Sequence, residues 1–189
     1  MSGGVALVGG DEFRAGCESM DMSILRISGR SKPSVLIIPA AAACQNPSLA
    51  ASNGVEYFSE LGAEPSALMV LDALKASDSD FLLPMDSADI LYFTGGNPQH
   101  LRHVLTGSLM LEKVKSAIER GAIIVGSSAG AMVLGSWMKI GQWTEGLGIL
   151  DGLAVLPHHE NSDLALVSEQ IEMAEIPRDL SVVGIDAMT

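Results

Sequence analysis

Short runs of Val, Ile and Leu recur along the chain, separated by longer stretches of helical character, and this alternation constrains the fold more than any other feature. Val5–Val8, Ser34–Ile38, Ala67–Val70, Ile90–Phe93, Ile123–Val125 and Ser181–Val183 read as strands, most of them closed by Gly, Pro or Asp. Several lack polar alternation, which is the pattern of strands buried on both faces of a parallel sheet. Between them, Pro47–Leu61, Pro98–Leu105, Met110–Arg120, Ala129–Leu134 and Ser162–Ala174 read as helices. In Met110–Arg120 the apolar Leu111, Val114 and Ile118 fall on one stripe, with the charged residues elsewhere. Pro98 suits a first helical turn, where no N–H is needed. The order predicts an α/β fold: an open, doubly wound, mostly parallel sheet with helices on both faces, flavodoxin-like in plan. With 189 residues, one α/β domain over 1–189 is expected. Sites in such sheets lie at the carboxyl ends of the strands.

Composition narrows the function classes. At 48% hydrophobic and 18% charged residues, a packed core is expected rather than disorder. Lys and Arg number 11 against 23 Asp and Glu, for a net charge of −12. No basic cluster exists to displace phosphate counterions, so no nucleic-acid partner is expected. Anionic membrane surfaces are disfavoured for the same reason, and the longest apolar runs, such as Val35–Ala43, are too short to span a bilayer. The opening residues carry no basic stretch before an apolar one, so a cytoplasmic location is expected. Cys17 and Cys44 are too few for a disulfide framework or a cysteine zinc site.

Three loops carry chemistry. The strongest is Gly126-Ser127-Ser128-Ala129-Gly130, a G-x-S-x-G that follows an apolar strand and opens a helix. That context defines a nucleophile elbow, in which small flanking residues allow a tight turn that lifts the Ser128 hydroxyl above the sheet edge. The same turn brings the Ala129 N–H to where an oxyanion forms. The second loop, Thr94-Gly95-Gly96-Asn97-Pro98, also joins a strand to a helix. Its bare backbone offers the Gly96 N–H as a second oxyanion donor, with Asn97 shaping a substrate pocket. The third is Pro157-His158-His159-Glu160. A serine hydroxyl needs a base, His is the usual one near neutral pH, and a His downstream of the elbow follows the expected chain order. His100 and His103 lie on the helix after Gly96 and read as solvent-facing, with His100 placed where it could reach the site mouth. Adjacent histidines rarely reach one ion, and no carboxylate cluster accompanies them, so no metal is expected.

At these loops the sequence resembles the peptidase E / cyanophycinase family of serine peptidases, whose fold is related to class I glutamine amidotransferases with serine replacing cysteine. The resemblance lies in FTGGNPQHL (Phe93–Leu101), GSSAGAMVLG (Gly126–Gly135) and GLGILDGLAVLPHH (Gly146–His159). Weaker matches are LVGGDEF (Leu7–Phe13), VLIIPAAAA (Val35–Ala43) and VVGID (Val182–Asp186). It implies a cytoplasmic, homodimeric exopeptidase or dipeptidase for short peptides that needs no cofactor. Ser128 would be the nucleophile, Gly96 and Ala129 the oxyanion donors, and His158 the base, with His159 as the alternative. The family's orienting glutamate is missing, because Gly184-Ile185-Asp186 is followed by Ala187. Asp186 and Glu160 remain as candidates for that role, and the chain is expected to lack some C-terminal elements of the full fold. A preference for acidic residues would need a cation, for which Arg14, Arg102 and Arg178 are the sources. Two other readings stay open: a cyanophycinase-like isopeptidase, and a catalytically silent small-molecule-binding homologue.

Overall fold

The computed structural model describes residues 3–162, 167, 169 and 171–189. Its central sheet has five parallel strands: β1 (Gly4–Val8), β2 (Ser34–Ile38), β3 (Glu64–Ala67), β4 (Ile90–Phe93) and β5 (Ile123–Ser127), in the order β1-β5-β4-β2-β3. The helices are α1 (Glu18–Ile27), α2 (Pro47–Glu60), α3 (Pro98–Leu105), α4 (Leu109–Arg120) and α5 (Ala129–Leu134).

Burial on both faces explains the unbroken apolar runs. In β2, Leu36 and Ile38 pack into one core with Leu101, Val104, Val114 and Val133 of α3, α4 and α5. Val35 and Ile37 point the other way and pack with Ile24, Leu25, Tyr57 and Phe58 of α1 and α2. The strand period of two therefore serves two cores, with helices on both faces.

Two helix starts follow local rules. Asn97 caps α3 by accepting from His100 N–H at 3.0 Å, with Pro98 at the first helical position. Ser108 caps α4 by accepting from Leu111 N–H at 3.2 Å, and Gly121 ends that helix at φ 104°.

The structure departs from the sequence expectation in three places. The strand expected at Ala67–Val70 pairs instead over Glu64–Ala67. Leu68 and Val70 are apolar because they drop into the core beyond the strand end, while Pro65 is tolerated because β3 is an edge strand. Helix α1 was not expected. A second sheet was not expected either: β6 (Gly135–Ile140), β7 (Gln142–Glu145), β8 (Leu150–Pro157) and β9 (Ser181–Ile185), in the order β7-β6-β8-β9. The expected strand at Ser181–Val183 lies there, not in the central sheet. Of the helix expected over Ser162–Ala174, residues 163–166, 168 and 170 lie outside the described residues.

Candidate active site

Strand order creates the site. β5 lies between β1 and β4, so the turn leaving β5 is flanked at the carboxyl edge by the turns leaving β1 and β4. Ser128 sits at the β5 exit with φ 47° and ψ −107°, a backbone conformation that costs a non-glycine residue about 1–3 kcal/mol. Close packing over-determines it. A Cβ on Gly126 would come within 2.6 Å of the Gly130 carbonyl carbon, and one on Gly130 within 2.5 Å of the Phe93 carbonyl oxygen. The Ser128 N–H donates to Val8 O at 2.9 Å, which ties the elbow to β1.

The imidazole arrives from the second sheet. His158 follows the last residue of β8 at φ 51°, and its N–H donates to Gly9 O at 2.9 Å. Its Nε2 lies 3.1 Å from Ser128 Oγ, within hydrogen-bonding reach. The ring rests on the bare backbone of Gly10, where a Cβ would come within 2.2 Å of His158 Cε1. His159 takes a different course, with its ring against Gly184, where a Cβ would come within 2.1 Å of Cδ2. Of the two histidines, His158 is the one brought to the serine.

Among the described residues, no carboxylate lies within hydrogen-bonding distance of His158 Nδ1. Glu160 accepts from Ala187 N–H at 2.8 Å. That donation, with smaller pulls from His158 and His159, holds its carboxyl below the usual range. Asp186 has its main-chain carbonyl against Gly9, and its carboxylate makes no hydrogen bond among the described residues.

The glycine loop after β4 packs tightly on its neighbour. A Cβ on Gly96, at φ 141°, would come within 2.3 Å of Ala41 O, and Asn97 N–H donates to that carbonyl at 2.7 Å. Asn97 uses its side-chain oxygen to cap α3, so it serves the loop's geometry. The Gly96 and Ala129 N–H groups have no acceptor among the described residues, whereas Gly95 N–H donates to Glu12 at 2.7 Å.

A cavity of about 340 Å³ adjoins Ser128 and His158, lined also by Asp11, Glu12, Arg14 and Asn53. Of the three arginines considered as substrate cations, Arg14 lines this cavity, paired with Asp11 at 3.3 Å. Arg102 lines a separate cavity beside Trp143, and Arg178 another beside Ile171. His100 is bound to Leu71 O at 2.9 Å, and His103 is exposed. No group of three metal-ligating side chains occurs among the described residues. None of the described helices is long and apolar enough to cross a membrane.

Sequence reasoning missed Glu12 and Gly10. The available signal was the Gly-Gly at the end of β1, which marks a turn where another chain segment comes close.

The family model of peptidase family S51 matches residues 5–185, nearly the whole chain and all three loops. The chain belongs to peptidase family S51. A curated relative, a cyanophycinase of Geminocystis herdmanii (strain PCC 6308), is 26% identical over 171 residues, 83% of this chain and 62% of that protein. The S51 chain thus spans less than two thirds of that relative's length. Among solved structures, a peptidase from an acI-B1 actinobacterium superposes with a TM-score of 0.79 at 25% identity, covering 99% of this chain and 81% of its own. A putative peptidase E protein from Listeria monocytogenes EGD-e shares the S51 chain's fold at a TM-score of 0.70 and 15% identity, covering 98% and 91%.

Proposed function

We propose that this S51 chain is a serine peptidase that hydrolyses short peptides as an exopeptidase or dipeptidase, in the cytoplasm and as a homodimer. The observation that carries the chemistry is the 3.1 Å approach of His158 Nε2 to Ser128 Oγ on a strained elbow. Ser128 Oγ attacks the scissile carbonyl while His158 takes its proton. The Gly96 and Ala129 N–H groups, which have no other acceptor among the described residues, stabilise the oxyanion. His158 returns the proton to the leaving amine, and water then releases the acyl group. Glu160 assists the imidazolium as a nearby anion rather than as a hydrogen-bonded orienter, and Asp186 remains the alternative carboxylate. No cofactor enters these steps.

Arg14 supports a preference for acidic residues, because it is the arginine beside the nucleophile. A second reading, hydrolysis of β-Asp-Arg isopeptide bonds, is favoured by the relative named cyanophycinase and by Asp11, a carboxylate facing the same cavity. The test is mass spectrometry of products from a panel of Asp-X dipeptides, C-terminally varied peptides and β-Asp-Arg isopeptides, run beside Ser128→Ala. Ser128-dependent cleavage of any member supports hydrolysis and identifies the bond. No cleavage across the panel would favour the silent binding homologue.

A further inference from the structure

The turn that leaves β1 inserts a carboxylate between the other two loops. Glu12 Oε1 accepts from Gly95 N–H at 2.7 Å, and Glu12 Oε2 accepts from Ser127 Oγ at 2.6 Å. Both are short, charge-assisted bonds, the stronger class of hydrogen bond. Each anchor precedes a reacting group: Gly95 comes before the oxyanion donor Gly96, and Ser127 before the nucleophile Ser128. We propose that Glu12 is a positioning residue for the hydrolysis described above, clamping the glycine loop and the elbow at the spacing the oxyanion requires. This inference rests on the proposed function.

The presentation of Glu12 is itself built into the fold. Gly10, Asp11 and Phe13 have φ of 125°, 56° and 64°, so the turn bends through left-handed backbone on both sides of Glu12. Such conformations persist only where packing enforces them. Phe13 provides that packing, with its ring 5.0–5.9 Å from those of Tyr57, Phe58 and Tyr92. The clamp also divides labour in the glycine loop. Gly95 N–H is consumed by Glu12, which fixes the loop's orientation and leaves Gly96 N–H for substrate.

Glu12→Gln separates contact from charge. Its amide oxygen accepts from Gly95 and its amide nitrogen donates to Ser127 Oγ, so both bonds survive without the negative charge. Misplacing catalytic groups by about 1 Å costs roughly 10²-fold, so Glu12→Ala is expected to lower kcat by about that factor while KM stays within about threefold. Glu12→Gln is expected to recover to within about tenfold of the wild type, and Ser127→Ala, which removes one of the two bonds, to lose about tenfold.

The readouts are kcat and KM on the best-cleaved peptide and the rate of covalent labelling by a fluorophosphonate. In labelling, Ser128 Oγ bonds to phosphorus, fluoride leaves, and the proton passes to His158. Slow labelling of Glu12→Ala with rescue by Glu12→Gln supports the clamp. Should Glu12→Ala fail to fold, Ser127→Ala decides the same point. A wild type labelled at Ser128 with Glu12→Ala or Ser127→Ala labelled equally fast overturns the clamp alone, as does a Glu12→Gln as slow as Glu12→Ala. A wild type that is not labelled at Ser128 overturns the hydrolase reading and the clamp with it.

Discussion

Two histidines stand side by side in the sequence, and geometry separates them. His158 Nε2 reaches Ser128 Oγ at 3.1 Å, while His159 packs against Gly184. General-base catalysis contributes about 10²–10⁴-fold, so His158→Ala should reduce kcat by about that range, whereas His159→Ala should stay within about tenfold. Steady-state rates on one cleaved peptide check this, and equal losses would contradict the assignment. The pair shows what a residue-level reading lacks. The His-His motif was legible, but the choice depends on the bare backbone of Gly10, which is distant in sequence. Glu12 was illegible for the same reason, because its partners lie 83 and 115 residues away. A buried carboxylate, Asp21, accepts from Tyr57 OH at 2.9 Å. Burial pushes its carboxyl up to about 6, against the lowering effect of that bond. A folded-state value raised above the unfolded one stabilises at low pH, and that contribution is lost as pH rises from about 4 through about 6. Wild-type stability relative to Asp21→Asn should therefore fall across that window by up to about 3 kcal/mol. Urea unfolding of both proteins at the two ends of the window measures it, and a constant difference would contradict the burial argument.

At the scale of elements, the parallel strands were legible because burial on both faces leaves them no polar alternation. The strand at β3 was misplaced because the apolar residues 68–70 follow the pairing segment rather than form it. Strands β6–β8 escaped notice because they are half-exposed and carry Trp, Lys, Gln and Glu among their apolar positions. Turns, by contrast, speak through glycine only once a neighbour is known. Gly10→Ala would drive a methyl into the His158 ring, which must then leave Ser128. Its expected outcome is a loss of turnover of about 10²-fold with little change in the circular dichroism spectrum. Turnover within a few-fold of wild type would show that the ring does not depend on this turn.

At the scale of the whole molecule, the site is shared between two sheets. The central sheet supplies the elbow, the glycine loop and Glu12, and the second supplies His158 from the end of β8. The last residues join them, because Gly9 N–H donates to Thr189 O and Met188 N–H donates to Gly10 O, both at 2.9 Å. Deleting residues 187–189 should loosen the turn on which His158 rests and slow peptide turnover by at least about tenfold, with the sheet intact by circular dichroism. Turnover equal to wild type would place those contacts outside the site's support. The alternation of apolar runs made β1, β2, β4 and β5 and the turn at Ser128 legible, but not the second sheet, from which His158 comes. In the proposed reaction Ser128 forms an acyl-enzyme with His158 as its base. The most direct test is acid-quenched mass spectrometry of the protein after brief reaction with p-nitrophenyl acetate, with the adduct mapped by proteolysis. The expected result is one acetyl group on Ser128, absent from Ser128→Ala and strongly reduced in His158→Ala. An unmodified Ser128, or an adduct that forms equally fast without His158, would contradict it.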